Sequence, residues 1–326
     1  MKAVVLTGFG EAEVLTLGEV PDPVLGDDEL LLRVRAAALN RADLFQRRGR
    51  YAPPPGAPAT LGLEVAGDVV AVGAFAAGWG VGDRVCALLP GGGYAQLAVI
   101  PAGMAVRVPE ILGYEEAAGI PEVFLTAYLN LFTLAGLTRG ENVLIHAGAS
   151  GVGTAALQLV RETGASAYVT AGSARKIRRC VELGAAAGWN HRDGSFLPWI
   201  LEQTQGRGID IILDFVGAPY WADNLAALAI DGRLCLIGSL GGTQASVDLE
   251  VLMRKRLTVR STALRSLPVP EKIRLTRELF AWAGPLFDRG ALMPVIDRVF
   301  PWTEAAQAHR YMESDLSMGK IVLRVE

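Results

Sequence analysis

Cysteine and histidine are scarce in this chain, three of each in 326 residues, and their scarcity removes several classes of protein. Cys86, Cys180 and Cys235 are odd in number and far apart, so no disulfide framework can be read from them and a reducing cytoplasm is the expected location. His146, His191 and His309 stand at no metal-binding spacing to each other or to the cysteines, and there is no four-cysteine lobe; neither catalytic nor structural zinc is expected. Charge of one sign is also lacking. The 31 basic and 34 acidic residues leave a net charge of −3, which offers no general attraction for a polyanion, so nucleic acid is not an expected partner. Apolar stretches such as Leu129 to Leu137 are interrupted by Asn130 and Thr133 and fall short of the ~18 residues of a membrane span. The opening MKAVVLTGFGEAEV has only a short apolar run before its acids, unlike an export signal. A G-x-S-x-G elbow is absent, which leaves a serine hydrolase without support.

What the chain does have is apolar residues and glycine: 51% hydrophobic, with 38 glycines in no collagen-like period. Such a chain folds, and its length fits about two domains at roughly 150 residues each. From Met1 to about Val108 short β-type runs alternate with turns: Ala3 to Thr7, Leu30 to Ala36, Val65 to Val72, Arg84 to Leu88 and Tyr94 to Val99. They predict a largely antiparallel, barrel-like domain. Its long irregular stretch, Gly49 to Thr60, carries Pro53, Pro54, Pro55 and Pro58; an ordered extended loop is expected there, serving as a pocket wall or as a rigid connector. Beyond about Ile120 strands alternate with helices. Strands are expected at Val143 to His146, Ala167 to Ala171, Ile209 to Phe215, Arg233 to Gly238 and Leu257 to Thr262, the rhythm of a doubly wound parallel sheet. The tail from Ser266 holds a helix ending near Asp288, a strand Pro294 to Phe300, a helix Glu304 to Glu313 and a strand Lys320 to Val325, expected to rejoin the first domain. The expected domains are therefore 1–119 with 266–326, and an inserted 120–265.

The strand Val143 to His146 runs into Gly148-Ala149-Ser150-Gly151-Val152-Gly153 and then a helix, the arrangement in which small residues let backbone amides approach a pyrophosphate at a helix N-terminus. Ser150 replaces a glycine of the usual fingerprint. Its hydroxyl is expected to donate to the dinucleotide, and its loss to leave the stability of the cofactor-free protein nearly unchanged. Where an NAD-preferring enzyme places an acid on the ribose, Ala165 to Val181 contains no Asp or Glu but has Arg175, Lys176, Arg178 and Arg179. Cations in the first turn of a helix oppose its dipole and are better explained by a ligand phosphate, so NADPH is the expected cofactor. Part of this cluster is also readable as a solvated basic face.

The stretches ALNRADLFQRRGRYAPPPGA (Ala38 to Ala57), LGLE (Leu61 to Glu64), ALLPGGG (Ala87 to Gly93), VLIHAGASGVGTAALQL (Val143 to Leu159), VTAGS (Val169 to Ser173), LGAAAGWNHR (Leu183 to Arg192) and GKIVL (Gly319 to Leu323) carry a resemblance. The chain resembles the zinc-free medium-chain reductases of zeta-crystallin type from end to end. The resemblance implies an α/β fold in which a GroES-like antiparallel β-barrel substrate domain carries an inserted Rossmann domain. It also implies NADPH, reduction of quinones as small-molecule electron acceptors, and a homodimer. Asn40 and Tyr51 would line the nicotinamide and substrate pocket. Ser150, Gly151, Val152 and Gly153 would meet the pyrophosphate; Gly172, Ser173, Lys176 and His191 would surround the adenosine phosphate; Thr126, Ile237, Ser239, Leu264 and Arg265 would complete the cofactor site. Zinc-containing relatives place metal ligands where this chain has Asn40 and Leu63, and Phe45 stands where some members have tyrosine. Each residue also has a plainer reading: Tyr51 packing on the proline loop, His191 in solvent, Asn40 capping a helix at Arg41 to Arg47. Reduction of conjugated alkenals or enones and a non-catalytic NADPH-binding role stand as alternatives. No residue is an unmistakable proton donor for the enone reaction.

Overall fold

The computed structural model describes residues Met1–Glu326, which divide into two units, Met1–Leu125 with Arg265–Glu326, and Thr126–Leu264. The first boundary lies later than 119/120 because the helix Pro121–Tyr128 begins inside the first unit. There the Glu122 amide donates to Glu64, and the Phe124 ring packs edge-on against Phe287 at 4.9 Å.

The first unit is built on a sheet in which Ile296–Pro301, Lys320–Arg324, Glu29–Ala38, Glu64–Val72, Arg84–Leu88 and Val106–Arg107 lie side by side, with Leu97–Pro101 also pairing with Glu29–Ala38. All pairings are antiparallel except Ile296–Pro301 with Lys320–Arg324. Glu29–Ala38 shows why: Leu30, Leu32, Val34 and Ala36 point inward at period two while Arg33 and Arg35 face out. Register shifts along it let the same strand pair first with Leu97–Pro101 and then with Lys320–Arg324. Gly67 is required where it sits, because a Cβ there would lie 2.1 Å from the Arg33 carbonyl oxygen. The tail strands do rejoin this unit. The expected strand Tyr94 to Val99 begins only at Leu97, since Tyr94 is instead tied by its amide to Leu61 and by its carbonyl to Val4. A hairpin partner for Lys2–Leu6, the strand Leu15–Glu19, was not foreseen.

The second unit is a six-stranded parallel sheet ordered Ala187–Asn190, Ser166–Ala171, Asn142–Ile145, Ile209–Asp214, Leu228–Leu236 and Thr258–Ser261. The order reverses between Asn142–Ile145 and Ile209–Asp214, the topological switch point of a doubly wound sheet. The helices Gly151–Thr163, Ala174–Glu182, Leu197–Gln203 and Trp221–Ala227 connect its strands. Ala187–Asn190 escaped the sequence reading because AGWN is four residues long and has no β-branched side chain. His146, just past its strand, is fully buried between Thr170 Oγ1 (3.0 Å) and Asn224 Oδ1 (2.7 Å), and burial lowers its pKa. All three cysteines are buried, and burial pushes the thiols of Cys86 and Cys180 up to about 12 and that of Cys235 to about 11, which keeps them protonated and unreactive. No helix is long and apolar enough to cross a membrane.

Candidate active site

In the second unit the glycine-rich turn is a close-packed cradle. Ala147 takes a left-handed φ of 48° as the chain leaves the strand. A Cβ on Gly153 would stand 2.6 Å from the carbonyl oxygens of Ala147 and Gly148, and one on Gly148 would stand 2.6 Å from Val169. Ser150 is the N-cap of Gly151–Thr163: its Oγ accepts from the Gly153 amide at 3.1 Å. The amides of Gly151 and Val152 have no protein partner and head the helix, a geometry that fits an anionic phosphate. The cap corrects one expectation. Ser150→Val should lower the stability of the cofactor-free protein by about 1 kcal/mol through loss of the cap, and thermal unfolding without cofactor checks it.

At the end of Ser166–Ala171 the backbone passes through Gly172, where a Cβ would come within 2.9 Å of His191 Nε2. Ser173 caps the next helix by accepting from the Lys176 amide at 3.3 Å. Arg175 and Arg178 are exposed, Lys176 is partly covered, and Arg179 pairs with Glu182 at 3.0 Å. Gly172 and His191 thus lie together at the strand's end, beside the Ser173 cap. Thr126 and Leu264 are buried. Ile237 and Ser239 line a cavity of ≈ 460 Å³ together with Gly217, Ala218, Trp221 and Thr262, and the glycine-rich turn is not part of that lining.

In the first unit neighbouring strands bring charge into the interior. Lys320 opens its strand, Glu64 opens another, and Asn40 follows the strand between them. Lys320 Nζ lies 2.7 Å from Glu64 Oε1 and donates to Asn40 Oδ1 at 2.8 Å and to the Leu39 carbonyl. Asn40 Nδ2 donates to Glu64 Oε1 at 3.0 Å, and the Glu122 amide donates to Glu64 Oε2 at 2.8 Å. Both Lys320 (3% exposed) and Glu64 (0%) are out of water. Asn40 also heads the helix Arg41–Arg47, its amide donating to Asp43 Oδ2 at 2.8 Å. Asp43 accepts further from the Gly62 amide and the Tyr94 hydroxyl, and burial still raises its pKa to about 6. No three or more His, Cys, Asp and Glu side chains are arranged to hold a metal ion.

Beside this cluster stand Tyr51, Arg265, Lys272 and Glu122. The Arg265 guanidinium lies 5.2 Å from the centre of the Tyr51 ring. It donates to Gln46 Oε1 at 2.8 Å and to the Pro90 carbonyl at 2.6 Å, while Nη1 is buried without a partner. Lys272 donates to the Arg265 carbonyl at 2.7 Å. Burial raises the Tyr51 pKa and lowers those of Arg265 and Lys272. Glu122 Oε2 is shut off from solvent with no hydrogen-bond partner.

Two family models match the chain: an alcohol dehydrogenase GroES-like domain over residues 26–110 and a zinc-binding dehydrogenase over 183–323. The quinone oxidoreductase of Sus scrofa is 33% identical over 326 residues, covering 99% of this chain and 97% of the relative. The chain belongs to the medium-chain dehydrogenase/reductase family. Its solved neighbours in that family include an NAD-dependent alcohol dehydrogenase (TM-score 0.89, 31% identity, 100% of each chain). The CurK enoyl reductase is as close (0.89, 30%, covering 100% of this chain and 99% of the other). So is a mycobacterial protein complexed with NADPH (0.89, 29%, 99% and 100%). This medium-chain reductase is accordingly an oxidoreductase that acts on a small molecule with a nicotinamide cofactor.

Of the residues singled out from sequence, Asn40, Tyr51 and Arg265 lie in the first unit and all the others in the second. Sequence reading missed the roles of Glu64, Glu122, Lys272 and Lys320. Glu64 and Lys320 stood inside the motifs LGLE and GKIVL, but no local pattern showed that they meet.

Proposed function

We propose that this medium-chain reductase catalyses the NADPH-dependent two-electron reduction of quinones. The observation that carries the cofactor half is the end of Ser166–Ala171, where Gly172 lies against His191, Ser173 caps the helix that carries Lys176, and the run Ala165 to Val181 holds no Asp or Glu to bond a free ribose hydroxyl. The amides of Gly151 and Val152 would take the pyrophosphate. Support for quinones comes from the Sus scrofa relative and from the first unit, where Tyr51 offers an aromatic face and Arg265 Nη1 an unused donor. When bound, the reduced nicotinamide supplies a hydride. The chain's own part is to hold the acceptor and to manage the accompanying proton. We place the active form as a homodimer, a reading supported by the edge strand Thr258–Ser261, all four of whose residues are exposed.

The test is NADPH oxidation by the purified protein with a panel of quinones and conjugated enones. Quinone-dependent oxidation is expected. Tight NADPH binding with no turnover on any acceptor would replace the reading by a binding role, and turnover on enones alone by the enone reductase reading that similarity to the CurK enoyl reductase supports. In Lys176→Ala, NADPH should lose about 1.5–3 kcal/mol of binding and NADH far less, because only NADPH brings the extra phosphate. Equal losses for the two cofactors would show that Lys176 serves only its helix.

A further inference from the structure

We propose that Glu122 holds the proton of the reduction and delivers it to the acceptor, with Glu64 and Lys320 setting its protonation. The inference rests on the reductase reading above and adds the proton source that reading leaves open.

Its basis is an asymmetry between two neighbouring carboxyls, Glu64 fully buried and Glu122 with one oxygen shut off from solvent. Glu64 has every need met: Lys320 and Asn40 on Oε1, the Glu122 amide on Oε2. Glu122 gives its amide to Glu64, yet its own Oε2 is buried and bonds to nothing. An ionised carboxylate oxygen in that position would carry uncompensated charge, whereas a protonated carboxyl costs far less to bury. Position in the first turn of a helix, which favours an anion, does not reverse this. Burial and the Glu64 charge raise the Glu122 pKa to about 7. The surrounding charges come from every side: Glu64 and Lys320 from their strands, Asp43 from Arg41–Arg47, and Lys272 from Val269–Asp288. Tyr51 and Arg265, which offer the acceptor a face and a donor, lie close enough to feel the Glu122 charge. A carboxyl with an unpartnered oxygen beside a fully partnered one is suited to hold a proton.

The step balances as follows. The quinone or enone gains two electrons as a hydride, which a bound reduced nicotinamide would supply. The O–H bond of Glu122 breaks, and its proton forms an O–H bond on the quinone's anionic oxygen or a C–H bond on the enone's carbon next to the carbonyl. The Glu122 carboxylate then takes a proton from water.

Two measurements test this on the full chain and on Glu122→Gln. Infrared titration of the cofactor-free protein should show a protonated carboxyl band that disappears near pH 7 and is missing from the variant. Turnover of the parent should fall as pH rises above about 7, because the acid form is lost; the variant should lose about a hundredfold and show no such fall. NADPH affinity should stay within about twofold. Parental turnover or a parental pH profile in Glu122→Gln overturns the proposal, as does a parent with no carboxyl titrating near pH 7. If the variant does not fold, the parent decides: its infrared midpoint and the midpoint of its pH profile must coincide, and a mismatch overturns the proposal. A parent that binds NADPH but reduces no acceptor defeats the reductase reading instead, and the infrared band then decides separately whether Glu122 holds a proton.

Discussion

Lys320→Met is expected to destabilise the protein by about 3–5 kcal/mol, read as a lower urea midpoint for the first unit. Methionine keeps most of the aliphatic stem but removes the ammonium that bonds to Glu64, Asn40 and the Leu39 carbonyl. What remains is a carboxylate with no exposure and no counter-charge, and the cost is that of the orphaned ion rather than the worth of the pair. Adding Glu64→Gln to Lys320→Met should therefore restore a large part of the loss, since the second change removes the unpaired charge. A loss below about 1 kcal/mol for the single variant would put the pair in the range of exposed ion pairs and contradict its burial.

His309→Gln should be more stable than the parent in acid, by a margin that opens as pH falls below about 6.5. His309 is fully buried, 3.3 Å from the Tyr94 hydroxyl and 3.4 Å from Arg47 Nη1, and burial with the Arg47 charge lowers its pKa to about 3. The folded state keeps the ring neutral while the unfolded chain protonates it below about 6.5. Its contribution is thus fully present above that pH and is lost as pH falls through 6.5 toward 3. Between pH 7.5 and 4 the loss is about 3 kcal/mol at 1.36 kcal/mol per unit. Asp43 and Glu122 act oppositely. With folded pKa values of about 6 and about 7, each is easier to bury protonated, so their contributions improve as pH falls through those values. The parent's response is the sum of these opposing parts, and urea unfolding of parent and variant across this range should expose the histidine part as a difference. A difference that stays constant with pH would mean that His309 titrates normally.

The glycine-rich turn of the second unit was legible because its signals are local: a strand, a turn of small residues and a helix follow one another within Asn142 to Thr163. The Ser150 cap was less legible, since a serine there reads equally as a ligand donor. The acidic and basic residues of the first unit could not be found this way. Lys320 meets Asn40 across 280 residues, and nothing near either one announces the other. Asn40 and Tyr51 were reached only through resemblance to known reductases, which marks positions without showing partners. The strands Leu15–Glu19 and Ala187–Asn190 were missed because a glycine interrupts the one and the other is four residues long with no β-branched side chain. The helix Leu249–Lys255 was missed because it buries no residue fully; Val251 and Leu252 pack only partly against the core, too little for an apolar stripe to show.

The insertion of one unit into the other has a consequence for how the chain is made. Thr126–Leu264 is continuous and has all its strands once Ser261 has been synthesised. The other sheet is not complete until Lys320–Arg324 emerges to lie between Glu29–Ala38 and Ile296–Pro301. During synthesis Glu29–Ala38 therefore waits with part of one edge unpaired, the kind of surface that recruits other chains. The same late segment carries the cation for Glu64, so its emergence both closes that edge and supplies the buried acid's partner, and a nascent chain stalled before Lys320 would present both faults to whatever chaperone meets it.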